Sequence, residues 1–381
     1  MTAMQQDLAL WAAIEAARER SLRWLGAMES AVAGAPRGAM RISAAHDPAR
    51  WPGMLLPGTY NGIMCLDLLG GLDGWSAGER RALADWLERA RREDGVFRIA
   101  GMADGQVFKK PDPVETWSYI DFHVTNYSLG AVQALCPERP AVLDFARPWL
   151  DPLRLEAWLA RRDLRDPWQE GNNIVNLGSF LLLLARCGAE SDRRAAAHAL
   201  DLVFAWHDRL QEPTTGFWGV GQHGDPVQAL HAMAGSMHNF HLWYATGRAL
   251  PFQDKAADYA LSRPPTVDSA CIDVDLVDLL VHAHGMIDHR RGEIRDWLRA
   301  LLPPLLAFQN DDGGFPDVRV GVRRQDGWVR GYEEPQGLSN TFATWFRWIA
   351  IAMIADCLWP GRRRWRFRRM VGIGYRREAV P

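Results

Sequence analysis

The sequence has few cysteines for its length, and their spacing excludes two common uses of that residue. Five cysteines are scattered over 381 residues, and no two of them form a C-x-x-C pair. Disulfide scaffolds and zinc ribbons need paired or regularly spaced cysteines, so neither fits this chain. Unpaired, reduced cysteines are typical of the cytoplasm. We therefore expect a cytoplasmic protein that binds no metal.

Targeting and nucleotide-binding signals are also missing. The first residues lack the basic start and long apolar run of a signal peptide. The most apolar segment, Phe342 to Trp359, is interrupted by Arg347 and Asp356, which favours a buried helix over a membrane span. No phosphate loop, G-x-G-x-x-G fingerprint, H-E-x-x-H motif or nucleophile elbow is present. The sequence predicts no cofactor and no nucleotide-driven chemistry.

Charge is distributed unevenly along a chain whose net charge is −2. Residues 361–381 hold eight arginines against one glutamate, interleaved with Trp365, Phe367 and Tyr375. We separate this basic tail from a body of residues 1–360. Basic and aromatic residues together are candidates for contact with a protein partner or with an anionic membrane surface, which would make the protein peripheral to the membrane; packing of the aromatics on the body is the alternative. The body is acidic and carries no reading motif, so we expect no nucleic-acid binding.

Hydrophobic periodicity predicts an all-α fold. Amphipathic stretches such as 79–93 alternate with stretches that are apolar nearly all round, and helices of the second kind are buried. The six apolar stretches are 60–72, 123–135, 172–189, 238–250, 273–286 and 339–356. An inner ring of these helices sheathed by an outer ring would form a single (α/α)6-type toroid with a central cavity. The 18 tryptophans fit a large pocket, because indole rings often line ligand cavities.

Short turns that combine glycine with an aromatic residue recur between the helices. They lie at 93–97, 215–219 and 309–315. The last, Gln309 to Phe315, resembles the Q-x-x-D-G-G-F repeat of squalene cyclases and protein prenyltransferase β subunits. The resemblance to this terpenoid cyclase and prenyltransferase superfamily implies the α/α toroid. It also implies, as a first functional hypothesis, an isoprenoid-handling enzyme with its ligand in the central cavity.

Polar residues stand near the start of each inner stretch, where parallel helices would gather them at one mouth of the cavity. The aligned helix dipoles would make this mouth suitable for an anionic or polar group of a small molecule or an oligosaccharide. The alternative for each residue is a structural helix cap. The predicted ligand-binding residues are Asn61, His123, Asn126, Trp168, Asn172, Asn173, Asn239 and Asn340.

Two aspartates are candidates for a catalytic acid. Asp273 and Asp275 are similar to the first positions of the D-x-D-D motif of class II terpenoid cyclases, while Leu276 stands where the final aspartate belongs. The resemblance implies that one carboxylic acid protonates an alkene. A buried carboxyl beside a second one can be held neutral for such a role. A cap and a structural hydrogen bond are the alternative.

A second hypothesis is a carbohydrate-active toroid. His238, His241 and Tyr244 lie three residues apart on one helical face beside Asn239, and this set resembles the asparagine, histidine and tyrosine of alginate-type polysaccharide lyases. Glu170 adds a carboxylate of the kind that a glycoside hydrolase needs. A third hypothesis is a noncatalytic binding or scaffold protein.

Overall fold

The computed structural model describes residues 2–30, 34–101, 113–221, 224–319, 322–323 and 331–376. Twelve α-helices account for most of these residues. In chain order they are α1 (Ala3–Ala27), α2 (Leu55–Leu68), α3 (Ala77–Glu88), α4 (Pro113–Leu135), α5 (Pro152–Ala160), α6 (Pro167–Cys187), α7 (Glu190–Leu210), α8 (Pro226–Thr246), α9 (Gln253–Ser262), α10 (Ala270–Met286), α11 (Arg291–Ala307) and α12 (Thr341–Leu358). Short 3₁₀ segments lie at Pro52–Met54 and Asp144–Leu150. Two-residue strands at Val322–Arg323 and Glu334–Pro335 pair antiparallel. The prediction of an all-α fold is confirmed.

The six even-numbered helices form a closed cycle of contacts. Each packs against the next even-numbered helix along the chain, and α12 packs back against α2. The odd-numbered helices lie outside this cycle, for example α3 against α4, α7 against α6 and α9 against α10. We call the even-numbered helices the inner helices. Their cycle is the arrangement that a toroid requires, and the assignment to an (α/α)6 toroid stays a prediction.

Burial follows the sequence pattern of the two kinds of helix. Every residue of α12 except Asp356 is buried. In α10, nearly all residues from Ala270 to Ala283 are buried. Among the described helices, α12 has the length and apolar composition of a membrane span, and 94% of this helix is buried inside the protein. An outer helix such as α7 buries one stripe and exposes its charges. A helix that is apolar on all sides is stable in water only when it is buried on all sides.

Local sequence signals fix where several inner helices begin. Asp166 and Asp225 cap α6 and α8 through backbone amides, and each is followed by a proline at the first helical position. Ser269 and Asn340 cap α10 and α12 in the same way. Side-chain acceptors at this position satisfy amides that have no partner within the helix, and proline has no amide to lose there.

The glycine and aromatic turns have a repeated structural role. The amide of the aromatic residue donates to a hydroxyl in the following inner helix: Phe97 to Thr125 at 2.9 Å, Trp218 to Ser236 at 2.8 Å and Phe315 to Thr344 at 2.9 Å. Met40 makes the same bond to Thr59 of α2 at 2.9 Å. We call these four contacts the turn-to-helix bonds. Each joins a segment outside the inner helices to a buried hydroxyl of an inner helix, where the amide needs an acceptor.

The turn at Gln309 to Phe315 also holds the first helix. The side-chain amide of Gln309 donates to the carbonyl of Ala17 at 2.9 Å, and Gly313 has φ 97°. A side chain at Gly313 would approach the carbonyl oxygen of Arg20 to 2.5 Å, so only glycine fits. This turn therefore joins α11, α12 and α1.

Part of the basic tail is integral to the fold. We call residues Trp365–Arg376 the tail segment. Its apolar side chains, which include Met370, Val371 and Ile373, are buried, and the carbonyl of Val371 accepts from Ser179 of α6 at 2.8 Å. The segment therefore packs among the inner helices, as the packing alternative predicted. Residues 377–381 lie outside the described residues.

Candidate functional site

A row of histidines and aspartates joins α8 to α10. The His238 Nε2 lies 3.5 Å from the Asp275 Oδ1, and one turn further the His241 Nε2 lies 3.1 Å from the Asp278 Oδ2. The row ends at His282, whose Nδ1 lies 2.8 Å from the Asp278 Oδ1. We call these five residues the His–Asp row. The spacing of three residues in both helices keeps the two pairs on facing surfaces.

The two aspartates of the row differ in their surroundings. Burial raises the pKa of Asp275 to about 6, although His238 opposes this shift. Burial acts on Asp278 in the same direction, but His241 and His282 outweigh it and hold the pKa of that carboxyl below its ordinary value. Burial lowers the pKa of His241. Asp278 is therefore an ionised carboxylate between two imidazoles. Of the two aspartates, Asp275 takes up a proton first as the pH falls.

Exposure distinguishes the members of the first pair. The side chain of His238 is 8% exposed and that of Asp275 is 0% exposed. His238 is thus the group that a ligand would meet, with Asp275 behind it. The second pair is enclosed, because the side chains of His241 and Asp278 are both 0% exposed.

Asp273 and Asp275 do not form one acid pair. Asp273 makes an ion pair with Arg347 of α12, and its Oδ1 accepts from the amide of Asp268 at 2.9 Å. Arg347 is also held by the carbonyl of Asp317 at 2.7 Å, and burial lowers its pKa to about 9. Residues two apart on a helix point to opposite sides, which is why one aspartate faces Arg347 and the other faces His238. This contact favours a structural role for Asp273.

The proposed lyase set is only partly brought together: the rings of His241 and Tyr244 lie 5.5 Å apart, whereas Asn239 has other partners. The side-chain amide of Asn239 donates to the carbonyls of Gly171 at 3.1 Å and Gly235 at 3.0 Å, where α6 and α8 approach closely. Tyr244 is buried, and its ring stacks on His282 at 4.0 Å between centroids. Asn239 is therefore engaged in packing two helices and is not placed beside His241 to neutralise a carboxylate.

Several other predicted residues have structural partners. Glu170 lies 3.0 Å from Arg162, and both side chains are buried. Asn173 donates to Glu170 at 3.4 Å, and Asn172 donates to the carbonyl of Trp168 in its own helix at 3.1 Å. An acid held by a buried arginine is a poor candidate for the carboxylate of a hydrolase.

Trp168 and Asn340 lie at the beginning of α6 and α12. The ring of Trp168 is 5.4 Å from that of His231. Asn340 accepts from the amide of Ala343 at 2.8 Å, which is the capping role that the sequence left open. Capping uses its acceptor oxygen, so Asn340 does not need a ligand to explain its presence.

Of the predicted residues of α2 and α4, His123 lies in an aromatic group. The ring of His123 is 4.4 Å from that of Tyr127, which stacks on Tyr60 at 5.6 Å and meets Trp345 of α12 at 5.5 Å. We call Tyr60, His123, Tyr127 and Trp345 the aromatic group. Its rings come from α2, α4 and α12, which are consecutive neighbours in the cycle of inner helices.

Side-chain amides near this region have unused donors. The Nδ2 of Asn61 and the Nδ2 of Asn176 are buried, and neither has a hydrogen-bond partner among the described residues. Asn126 instead accepts from Arg368 of the tail segment. Buried amides without partners are uncommon in native proteins and often mark a bound ligand or water.

Several members of this arrangement were not among the residues predicted from the sequence. His282 carried a usable signal, because it follows Asp278 by four residues and so lies on the same helical face. Asn176 also lies one turn beyond Asn172. Nothing local marked Trp345 or Arg368, whose partners lie on other elements of the chain.

No group of three or more histidine, cysteine, aspartate and glutamate side chains within the described residues is arranged to hold a metal ion.

Comparison with known proteins identifies no family for this chain. No family model matches the sequence, and no curated protein matches it. A solved structure titled "Crystal structure of a protein from Actinoplanes" is similar, with 14% sequence identity and a TM-score of 0.43. The alignment covers 90% of this chain and 99% of that chain. The geometry of the His–Asp row and its surroundings is therefore the basis for a functional proposal.

Proposed function

We propose that this chain is an enzyme that transfers a proton to or from a ligand among the inner helices, with His238 as the acid–base group and Asp275 as its buried partner. The observation that carries the proposal is the environment of Asp275. Its contacts among the described residues include no arginine or lysine, whereas Asp121 is paired with Arg98. Asp273 and Glu170 are paired with arginines in the same way. Asp275 is thus free to exchange a proton with His238.

The chemistry of this pair suits proton transfer near neutral pH. Burial raises the pKa of Asp275 to about 6, so this carboxyl can take up or release a proton near neutral pH beside the imidazole of His238. An acid–base group is most effective when its pKa lies near the working pH. Asp275 would fix the orientation of the imidazole, and the exposed edge of His238 would meet the ligand.

As the substrate class we propose an isoprenoid. The aromatic group supports this choice, because the faces of Tyr60, Tyr127 and Trp345 can stabilise a developing carbocation. The turn from Gln309 to Phe315, which resembles the repeat of terpenoid cyclases and prenyltransferases, is the second support. In this proposal the role of acid belongs to the His238 and Asp275 pair and not to Asp273.

A carbohydrate is the second candidate. The buried amide donors of Asn61 and Asn176, which have no partner among the described residues, favour it. Amides of this kind bind sugar hydroxyls, and aromatic rings stack on sugar faces. The two candidates share the acid–base pair and differ in the ligand on which it would act.

Thermal shift measurements with polyprenyl diphosphates and with uronate oligosaccharides distinguish the candidates, because a ligand of the folded state raises the melting temperature. Turnover of the class that binds is then compared in wild type, His238→Gln and the matched control His198→Gln, whose imidazole is exposed on α7. We expect His238→Gln to keep the thermal shift and to lose about 10²-fold to 10⁴-fold in turnover. Unchanged turnover in His238→Gln would exclude the acid–base role. Stabilisation by neither class would favour the noncatalytic hypothesis.

A further inference from the structure

A cleft lies between the tail segment and the inner helices α2, α4 and α12. Arg366, Arg368 and Arg369 of the tail segment line it, together with Asp67, Gln133 and Trp345. We call it the arginine cleft. It differs from the His–Asp row, which lies on α8 and α10, but it shares Trp345 with the aromatic group.

Arg368 is the most buried of the three arginines. Its Nη2 donates to the backbone carbonyl oxygen of Asn126 at 2.6 Å and also to the side-chain oxygen of that residue. Its guanidinium carbon lies 5.2 Å from the centre of the Tyr127 ring. Its Nε is buried and has no hydrogen-bond partner among the described residues.

The surroundings of Arg368 do not neutralise its charge. Its partners are an amide and a phenol, and no carboxylate forms an ion pair with it in the described part of the chain. Burial lowers its pKa to about 10, so it remains a cation at neutral pH. A buried charge without a counter-ion is strongly unfavourable. A site with this composition is completed by an anion.

The other charges of the cleft leave a positive excess. Arg366 lies 2.5 Å from the carboxylate of Asp73 and 3.9 Å from that of Asp67. Arg369 is exposed and has no ion pair among the described residues. Arg366 is thus compensated, while Arg368 and Arg369 are not.

We propose that the arginine cleft binds a phosphate group, held by the guanidinium groups of Arg368 and Arg369. Two arginines match the charge of a phosphate dianion, and guanidinium N–H groups are strong donors to phosphate oxygens. The free Nε of Arg368 supplies one such donor, and the amide of Gln133 is a further donor on the wall of the cleft. The phosphate group belongs either to a free phosphate compound or to a phospholipid headgroup.

The first test measures the melting temperature of the full chain in inorganic phosphate and in pyrophosphate, against sodium chloride of equal ionic strength. The variants are Arg368→Gln and Arg369→Gln, and the control is Arg364→Gln, an exposed arginine of the same tail that does not line the cleft. We expect phosphate or pyrophosphate to stabilise wild type and Arg364→Gln by several degrees. Both cleft variants should lose most of that shift.

Without phosphate, Arg368→Gln has a further expected effect that separates the proposal from simple loss of folding. Since it removes an uncompensated buried cation, its melting temperature in chloride should equal or exceed that of wild type. Arg369 is exposed, so Arg369→Gln folds normally and tests the site even if the other variant does not.

Vesicles that contain phosphatidic acid provide the second arm. Sedimentation with these vesicles, lost in Arg369→Gln and kept in Arg364→Gln, would identify a lipid headgroup as the source of the phosphate. If Arg369→Gln and Arg364→Gln responded equally to phosphate and to vesicles, the proposal would be overturned, because general electrostatic attraction would explain the binding. No stabilisation of wild type by phosphate or pyrophosphate, together with no vesicle binding, would overturn it as well.

Discussion

The backbone amide of Phe315 donates to the hydroxyl of Thr344 at 2.9 Å, and both residues are fully buried. This bond joins the turn after α11 to the interior of α12. The same kind of bond recurs at Phe97 with Thr125 and at Trp218 with Ser236. It is the structural counterpart of the glycine and aromatic pattern that the sequence repeats.

Thr344→Val should destabilise the protein by about 1–3 kcal/mol, because it leaves the buried amide of Phe315 without an acceptor while keeping the side-chain shape. Thr344→Ser retains the hydroxyl and should cost less than Thr344→Val. Urea unfolding followed by circular dichroism measures both. Equal stability of Thr344→Val and wild type would contradict a structural role for the bond.

Asp273→Asn should cost about 3–5 kcal/mol, because it leaves the charge of Arg347 buried without its partner. The double variant Asp273→Leu/Arg347→Met removes both charges and should be more stable than Asp273→Asn. A double-mutant cycle built from Asp273→Leu, Arg347→Met and the double variant measures the coupling between the two residues as a difference of unfolding free energies. Independent, additive effects would show that the ion pair does not fix Asp273.

The stability of the fold should depend on His207 between pH 6.5 and pH 4. Burial lowers the pKa of His207 from 6.5 to about 4 in the folded state. The unfolded chain therefore binds a proton in this interval that the folded chain does not, so the contribution is intact above pH 6.5 and is lost as the pH falls to 4. The total is about 3 kcal/mol.

Urea unfolding of wild type and His207→Gln at several pH values tests this dependence. The variant should lose stability less steeply than wild type as the pH falls through this interval. His198→Gln, which replaces an exposed histidine, should follow the wild-type profile. Identical profiles for wild type and His207→Gln would contradict the burial of a neutral imidazole.

Ile373→Ala tests the integration of the tail segment. Ile373 is 3% exposed, and truncation of a buried isoleucine typically costs about 2–5 kcal/mol. Arg364→Ala, in the exposed part of the same tail, should change the unfolding free energy by less than about 0.5 kcal/mol. If Ile373→Ala were as stable as Arg364→Ala, the tail segment would be a loosely attached arm.

The inner helices could be predicted from the sequence because their signal is local. Apolar runs such as 273–286 and 339–356 correspond to α10 and α12, and the turn at 309–315 lies between helices as predicted. A run of residues that are apolar on all sides has few alternatives to a buried helix. The order of elements followed from the same pattern.

The partners of the site residues could not be predicted because they depend on which surfaces of different helices face each other. Asp273 and Asp275 look equivalent in the sequence, yet one meets Arg347 from α12 and the other meets His238 from α8. Their separation by two residues indicated opposite directions but not the neighbours in each direction. The basic tail posed the same difficulty, since its composition suits a surface and its apolar residues are buried among the inner helices.

The contact of α12 with α2 has a consequence for how the protein is made. These helices are separated by most of the chain, and the cycle of inner helices stays open until α12 is present. A nascent chain on the ribosome therefore exposes the apolar edge of α2 throughout most of translation, and that of α10 until α12 has been made. Exposed surface of this kind is recognised by chaperones and promotes aggregation. Emergence of α12 from the exit tunnel is thus the step at which the cycle of inner helices can close.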